Sequence, residues 1–190
     1  MDTIKVAAYD PQWPEQFKAL KSVYLDALAS QTIKIEHIGS TAVPGLAAKP
    51  ILDIDIVVAD EIQLDKVIPA ITLLGYQFMG DLGIKDRYAF KPVSELSPDD
   101  HSGTIWPKHN LYCCIEGSVS LANHLLFRNA LRTDPALAQQ YGELKKSLAF
   151  TATDIDVYIE GKSAFIARVL QQAGIQPEHV ADIVNQNKKK

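Results

Sequence analysis

His37-Ile38-Gly39-Ser40-Thr41-Ala42-Val43-Pro44-Gly45-Leu46-Ala47-Ala48-Lys49-Pro50-Ile51-Leu52-Asp53-Ile54-Asp55 is the stretch on which the reading of the whole chain turns. Ile33 to Ile38 alternates apolar and polar residues, which predicts a short strand running into a Gly39-Ser40 turn. Ile51 to Val58 is almost continuously apolar, which predicts a second strand inside a sheet. Asp53 and Asp55 interrupt that apolar run two positions apart. Residues i and i+2 of a strand face one side, with Cα atoms roughly 6.6 Å apart, so both carboxylates can lean onto one divalent cation. Ile54 and Ile56 then point the other way, into the core. Two carboxylates on a central strand are costly to bury unpaired. A cation, a lysine or arginine partner, or a strand end open to water would each remove that cost. Gly39 lets the backbone approach a phosphate, which the following N–H groups can cradle; the plain alternative is an ordinary turn. No GK[ST] follows at P-loop spacing, and GxGxxG is absent.

Upstream, Tyr9-Asp10-Pro11-Gln12-Trp13-Pro14 reads as an extended lead-in. A helix from Pro14 to Ala29 follows, with proline in its first turn and Phe17, Leu20, Tyr24, Ala27 and Leu28 on one face. Downstream, Glu61 to Leu74 predicts a helix closed by Gly75, with Pro69 a candidate kink. Strands are expected at Tyr76–Met79, Arg87–Pro92 and His109–Glu116, with a polar loop from Ser94 to Pro107. After Gly117 the periodicity becomes helical: Ser118 to Arg132, Pro135 to Phe150, Asp154 to Gly174 and a short last helix from 177 to 187, before a Lys188-Lys189-Lys190 tail expected to lack structure. The fold class is α+β: a mixed sheet with flanking helices and a helical C-terminal third. Residues 1–117 form the expected α/β core, and 118–190 a helical part packed on it in one compact unit.

The bulk composition narrows the function. The chain has 190 residues, 47% hydrophobic and 22% charged, with a net charge of −4. An acidic balance argues against general nucleic-acid binding, which needs a basic face. No apolar run reaches the roughly 18 residues of a membrane span. Met1-Asp2-Thr3-Ile4-Lys5 lacks the features of a signal peptide, so the cytoplasm is the expected location. Cys113 and Cys114 are adjacent, and strand neighbours point to opposite faces. They read as two buried small side chains rather than a disulfide or a zinc site.

A strand, Gly-Ser, a short spacer and then Asp-x-Asp resembles the signature of the polymerase-beta-like nucleotidyltransferase superfamily. A closer resemblance covers nearly the whole chain. The Tyr9–Pro14 lead-in, the His37–Asp55 block, Lys108-His109-Asn110-Leu111-Tyr112, Phe127-Arg128-Asn129-Ala130-Leu131-Arg132, Tyr141-Gly142-Glu143-Leu144-Lys145, Tyr158 and Lys162 are similar to the GrpB family. That resemblance implies the nucleotidyltransferase fold, in which Gly39 and Ser40 would hold nucleotide phosphates and Asp53 and Asp55 would hold Mg²⁺ or Mn²⁺. A domain of this type also occurs fused to dephospho-CoA kinase in some bacteria, which points towards cofactor metabolism.

Nucleotidyltransferases carry a third carboxylate on a later strand. The expected strand here is His109 to Glu116, and its one acid is Glu116 at the far end. His109 and Tyr112 stand where an acid is expected, and His109, or His37 before the turn, is the candidate substitute ligand or base. Lys49 either neutralises phosphate or pairs with Asp53. Arg87 and Lys91, on one face of a strand, either bind a triphosphate or form a solvated edge. Tyr141/Lys145 and Tyr158/Lys162 are i,i+4 pairs, read either as surface lysines over tyrosines or as a basic wall closing a cleft. Arg128 and Arg132 share a helix face that points to solvent or to the cleft. Trp13 reads as a packing anchor. His101, His124 and His179 show no pattern. Three functions are open: nucleotidyl transfer from an NTP to an unknown acceptor, a non-catalytic module for a nucleotide or CoA-like ligand, and a metal-dependent phosphohydrolase. The expected partner is a small molecule or nucleotide, not a membrane.

Overall fold

The Asp-x-Asp strand lies where its apolar flanks require, paired on both sides. The computed structural model describes residues 4–180 except 30, 32 and 177. In chain order it contains α1 (Trp13–Ala27), β1 (Lys34–Ile38), a 3-10 turn (Ser40–Ala42), β2 (Leu52–Val58), α2 (Glu61–Leu73), β3 (Tyr76–Phe78), β4 (Arg87–Pro92) and β5 (His109–Ile115). Four helices follow: α3 (Val119–Thr133), α4 (Pro135–Thr151), α5 (Ile155–Glu160) and α6 (Ser163–Gln172). The sheet order is β1-β2-β5-β4-β3. Only the β2–β5 pair is parallel, with Asp53 opposite Asn110 and Asp55 opposite Tyr112. β1 runs antiparallel to β2, placing Glu36 opposite Asp55 and Ile38 opposite Asp53.

The two faces of the sheet differ sharply. One presents Leu52, Ile54, Ile56 and Val58 of β2 and Leu111 and Cys113 of β5 to Leu20 and Tyr24 of α1, Leu28 just after it, and Leu64, Val67 and Ile71 of α2. Burying each such side chain is worth roughly 1.5–3 kcal/mol, so this face holds most of the core. The other face carries Asp53, Asp55, Asn110 and Tyr112 in register. Its apolar part is small: Val57 and Cys114 against Leu121 of α3. Strand alternation therefore separates packing from chemistry, and Cys113 and Cys114 fall on opposite faces, both buried and free.

Local signals set the helix boundaries. Asp60, Ser118, Asp134 and Asp154 cap α2, α3, α4 and α5 by accepting backbone N–H groups, a contribution of about 1 kcal/mol each. Pro69 is accommodated inside α2. The expected helix from Asp154 to Gly174 is instead two helices, broken at Gly161-Lys162. The cause is close packing. A Cβ at Gly161 would lie 2.5 Å from Leu148 Cδ2, so the chain turns over α4 at a residue without a side chain. The Lys188–Lys190 tail, and most of the helix expected from 177, lie outside the described residues. No helix among the described residues is long and apolar enough to cross a membrane.

Candidate active site

The Gly39-Ser40 turn is held against the start of β2 by both its shape and its anchors. Gly39 adopts φ 68° and ψ −169°, a region essentially confined to glycine. Its Cα lies so near Asp53 that a Cβ would fall 2.2 Å from Oδ2. Cationic side chains tether the carbonyls of the same loop. Arg128 Nη1 donates to the carbonyl of His37 at 2.8 Å, Arg132 Nε to that of Ala42 at 2.9 Å, and Lys145 Nζ to that of Ala47. Further along, Ala48 pairs with Ala7, ahead of the lead-in, through two backbone hydrogen bonds. Val43 and Leu46 pack on Leu131, Ala138 and Tyr141 of α3 and α4.

Ser40, Lys49, Asp53, Tyr112, Lys145 and Lys162 meet in one cleft of about 350 Å³, whose lining also includes Asn110 and Tyr158. Asp53 is partly exposed there and accepts from Asn110 Nδ2 at 2.7 Å. Removal of water by its surroundings raises its pKa. Asp55 lies behind it, 0% exposed. Its Oδ2 accepts from His124 Nδ1 at 2.7 Å, while Oδ1 has no hydrogen-bond partner among the described residues. Leaving one carboxylate oxygen buried and unpaired is costly, so the strand pair is suited to a cation.

The lysine–tyrosine pairs form the opposite wall. Lys145 Nζ lies 4.7 Å from the Tyr141 ring centroid and Lys162 Nζ 4.6 Å from that of Tyr158. Lys49 approaches the same Tyr158 ring at 5.8 Å. Lys145 is only 2% exposed. Burial, reinforced by Lys162, lowers its pKa to about 7, and burial brings Lys162 to about 8. Two desolvated lysines thus share the cleft with the Asp53 carboxylate. Arg87 lies over the ring of Tyr112 at 4.6 Å and so supports the cleft wall rather than lining it.

Three sequence expectations are corrected. His109 points to the other face of the sheet, where Nδ1 donates to the Pro107 carbonyl and Nε2 accepts from Tyr76, with Tyr24 alongside. Alternation along β5 dictates this: Asn110 and Tyr112 share the face of the aspartates, and 109 cannot. His37 also faces away, stacked on Phe17 and hydrogen-bonded to Thr41. Neither of these histidines reaches the carboxylates; the histidine that does is His124. Lys91 is exposed opposite Gln77 at the β3–β4 edge, outside the cleft lining. In exchange, the structure brings in Asn110 and His124. Leu121, His124, Arg128 and Leu131 are spaced three, four and three apart, the signature of one helix face, and this spacing is the signal that places His124 on the sheet.

Comparisons with known proteins agree with this architecture. The family model described as GrpB protein matches residues 3–172. The UPF0157 protein PA4798 of Pseudomonas aeruginosa is 36% identical over 179 residues, covering 94% of this chain and 71% of that protein. The crystal structure of GrpB from Enterococcus faecalis superposes with a TM-score of 0.74 at 34% identity, covering 89% of this chain and 96% of that one. A structure of Cid1, described for its RNA terminal uridylyl transferase activity, matches with a TM-score of 0.52 at 12% identity, over 75% of this chain and 42% of that one. At that identity the likeness is one of fold. The chain belongs to the GrpB family and shares the fold of the nucleotidyltransferase Cid1.

Proposed function

We propose that the chain binds a nucleoside triphosphate with a divalent cation, Mg²⁺ or Mn²⁺, and transfers its nucleotidyl group to an acceptor hydroxyl. The observation that carries this reading is the placement of Asp53 and Asp55 on one sheet face, with Asp53 against the Gly39 turn and in one cleft with Lys145 and Lys162. The donor set fits such an ion: two carboxylates, one with an unpaired buried oxygen, are hard oxygen ligands of the kind Mg²⁺ takes. When bound, the cation would neutralise phosphate charge and favour attack at phosphorus. The chain's own residues do the rest. Gly39 admits phosphate oxygens close to the backbone, and Ser40 supplies a hydroxyl beside them. Lys145, Lys162 and Lys49 offset the triphosphate's negative charge. Asn110 orients Asp53 and His124 orients Asp55, so neither carboxylate must be reorganised when the ligand arrives.

A second reading has its own observation. The β5 positions facing Asp53 and Asp55 are Asn110 and Tyr112, both neutral. Without a carboxylate there, the same cleft serves as a nucleotide-binding module with little or no turnover. One experiment separates the two. Purified protein is incubated with labelled NTPs, Mg²⁺ or Mn²⁺ and a metabolite extract, and both label transfer and pyrophosphate release are followed. Transfer that falls at least 100-fold in Asp53→Asn supports the enzyme. Nucleotide binding by calorimetry that survives Asp53→Asn, with no transfer by the wild type, supports the module. Absence of both binding and transfer rejects both.

A further inference from the structure

A second group of ligand atoms lies deeper than the cleft. The carboxylate of Asp55, the thiol of Cys114 and the ring of His124 offer ligand atoms within 4.8 Å of one another, contributed by β2, β5 and α3. We infer that Asp55, Cys114 and His124 form a site for a thiolate-preferring divalent ion of the Zn²⁺ type, sharing Asp55 with the hard-cation position proposed for the cleft but lying behind it.

Several independent observations lead there. Tetrahedral zinc holds sulfur at about 2.3 Å and nitrogen or oxygen at about 2.0–2.2 Å, so its ligand atoms stand roughly 3.3–3.7 Å apart. A bound ion would have to draw the three ligand atoms, which lie within 4.8 Å of one another, to that spacing. Asp55 and Cys114 are both fully buried, and Asp55 Oδ1 has no hydrogen-bond partner among the described residues. His124 satisfies one carboxylate oxygen only. A carboxylate and a thiolate together match the charge of a divalent ion, while the imidazole adds a neutral ligand. Sulfur and imidazole select zinc-like metals over Mg²⁺. Three protein ligands also leave a coordination position open, as in catalytic rather than structural zinc sites. The His124 side chain keeps 19% of its surface exposed, which gives an ion a way in beside α3. Arg87, opposite Cys114 in the β4–β5 ladder, is the cation facing the group, and Tyr112 screens it with its ring.

The inference shares Asp55 with the nucleotidyl-transfer reading but does not depend on it, because Asp53 and the lysine wall take no part in this group. Its test is spectroscopic. The protein is stripped with a chelator and titrated with Co²⁺, whose thiolate complexes show a sulfur-to-metal charge-transfer band in the near ultraviolet. The chain has two cysteines, so the band's source is unambiguous. The expected result is a band that saturates at one equivalent, is displaced by Zn²⁺, persists in Cys113→Ser and Asp53→Asn, and disappears in Cys114→Ser. His124→Gln should weaken Co²⁺ binding at least tenfold. No band in the wild-type protein at saturating Co²⁺ overturns the inference, as does a band that survives in Cys114→Ser. The wild-type spectrum decides the matter even if Cys114→Ser fails to fold. A nucleotide-binding result of either sign leaves this readout unaffected, so the two proposals fail separately.

Discussion

Gly39 and Asp53 are in such close contact that the glycine's missing Cβ would lie 2.2 Å from the aspartate's Oδ2. The turn and the strand therefore form one unit, and the sequence between them serves to bring them together. Gly39→Ala is expected to lose stability by about 1–3 kcal/mol from backbone strain alone, a fall of several degrees in Tm for a chain of this size. The added methyl also displaces the Asp53 carboxylate, so divalent-dependent nucleotide binding should fall by more than tenfold. Thermal unfolding and calorimetry on the variant check both. Unchanged stability and binding would show that the contact is dispensable.

Arg128 ties α3 to the loop. It donates to Glu36 Oε2 at 2.7 Å and to the His37 carbonyl at 2.8 Å. Arg128→Ala leaves that carbonyl and a partly exposed carboxylate without their partner, a loss of about 1–3 kcal/mol after allowing for solvent screening of Glu36. Urea denaturation measures the loss. Arg128→Lys should recover only part of it, because a single ammonium cannot reproduce the guanidinium's separate N–H directions.

The buried lysines predict a pH dependence of ligand binding. Lys145 and Lys162 have pKa values lowered to about 7 and about 8 by burial. Below pH 7 both carry charge and attract an anion. As pH rises through 7 to 8 the free protein loses these charges, so affinity for a triphosphate should decline. At pH 8 a bound anion restores the protonated form, so binding takes up protons. Calorimetry in buffers of different ionisation enthalpy detects that uptake, and Lys145→Gln should reduce it. Uptake that is unchanged in this variant would remove Lys145 from the anion site.

His37 predicts an acid effect on folding. Burial, aided by Arg132 and Arg128, lowers its pKa to about 4 from an ordinary 6.5. Between these values the unfolded chain binds the proton and the folded chain does not, so stability falls as pH drops from about 6.5 to about 4. His109 is lowered as well, by burial, and adds in the same direction. The urea midpoint measured at pH 7 and at pH 5 should differ, and His37→Gln should narrow the gap.

Residue patterns that repeat locally were legible in the sequence. Period-two alternation placed Asp53 and Asp55 together, and period-3.6 spacing placed Tyr141 with Lys145 and Tyr158 with Lys162. Pairing across long separations was not legible. The spacing around His124 turns it towards the sheet but does not single out Asp55, 69 positions earlier, because that contact depends on how α3 crosses the sheet. His109 departs from the sequence expectation for the opposite reason. Its place in the chain suggested the site, but the β2–β5 register turns it to the core and gives the site face to Asn110. The break at Gly161 was hidden because apolar periodicity continues through it, and only contact with Leu148 forces the turn.

A crystal of the protein soaked with Mg²⁺ and a non-hydrolysable nucleoside triphosphate tests the central claim most directly. The account predicts a cation between the carboxylates of Asp53 and Asp55, phosphates against Gly39 and Ser40, and Lys145 and Lys162 turned towards the phosphate oxygens. A triphosphate bound elsewhere on the chain, or one seated in the cleft with no cation touching either aspartate, would contradict it.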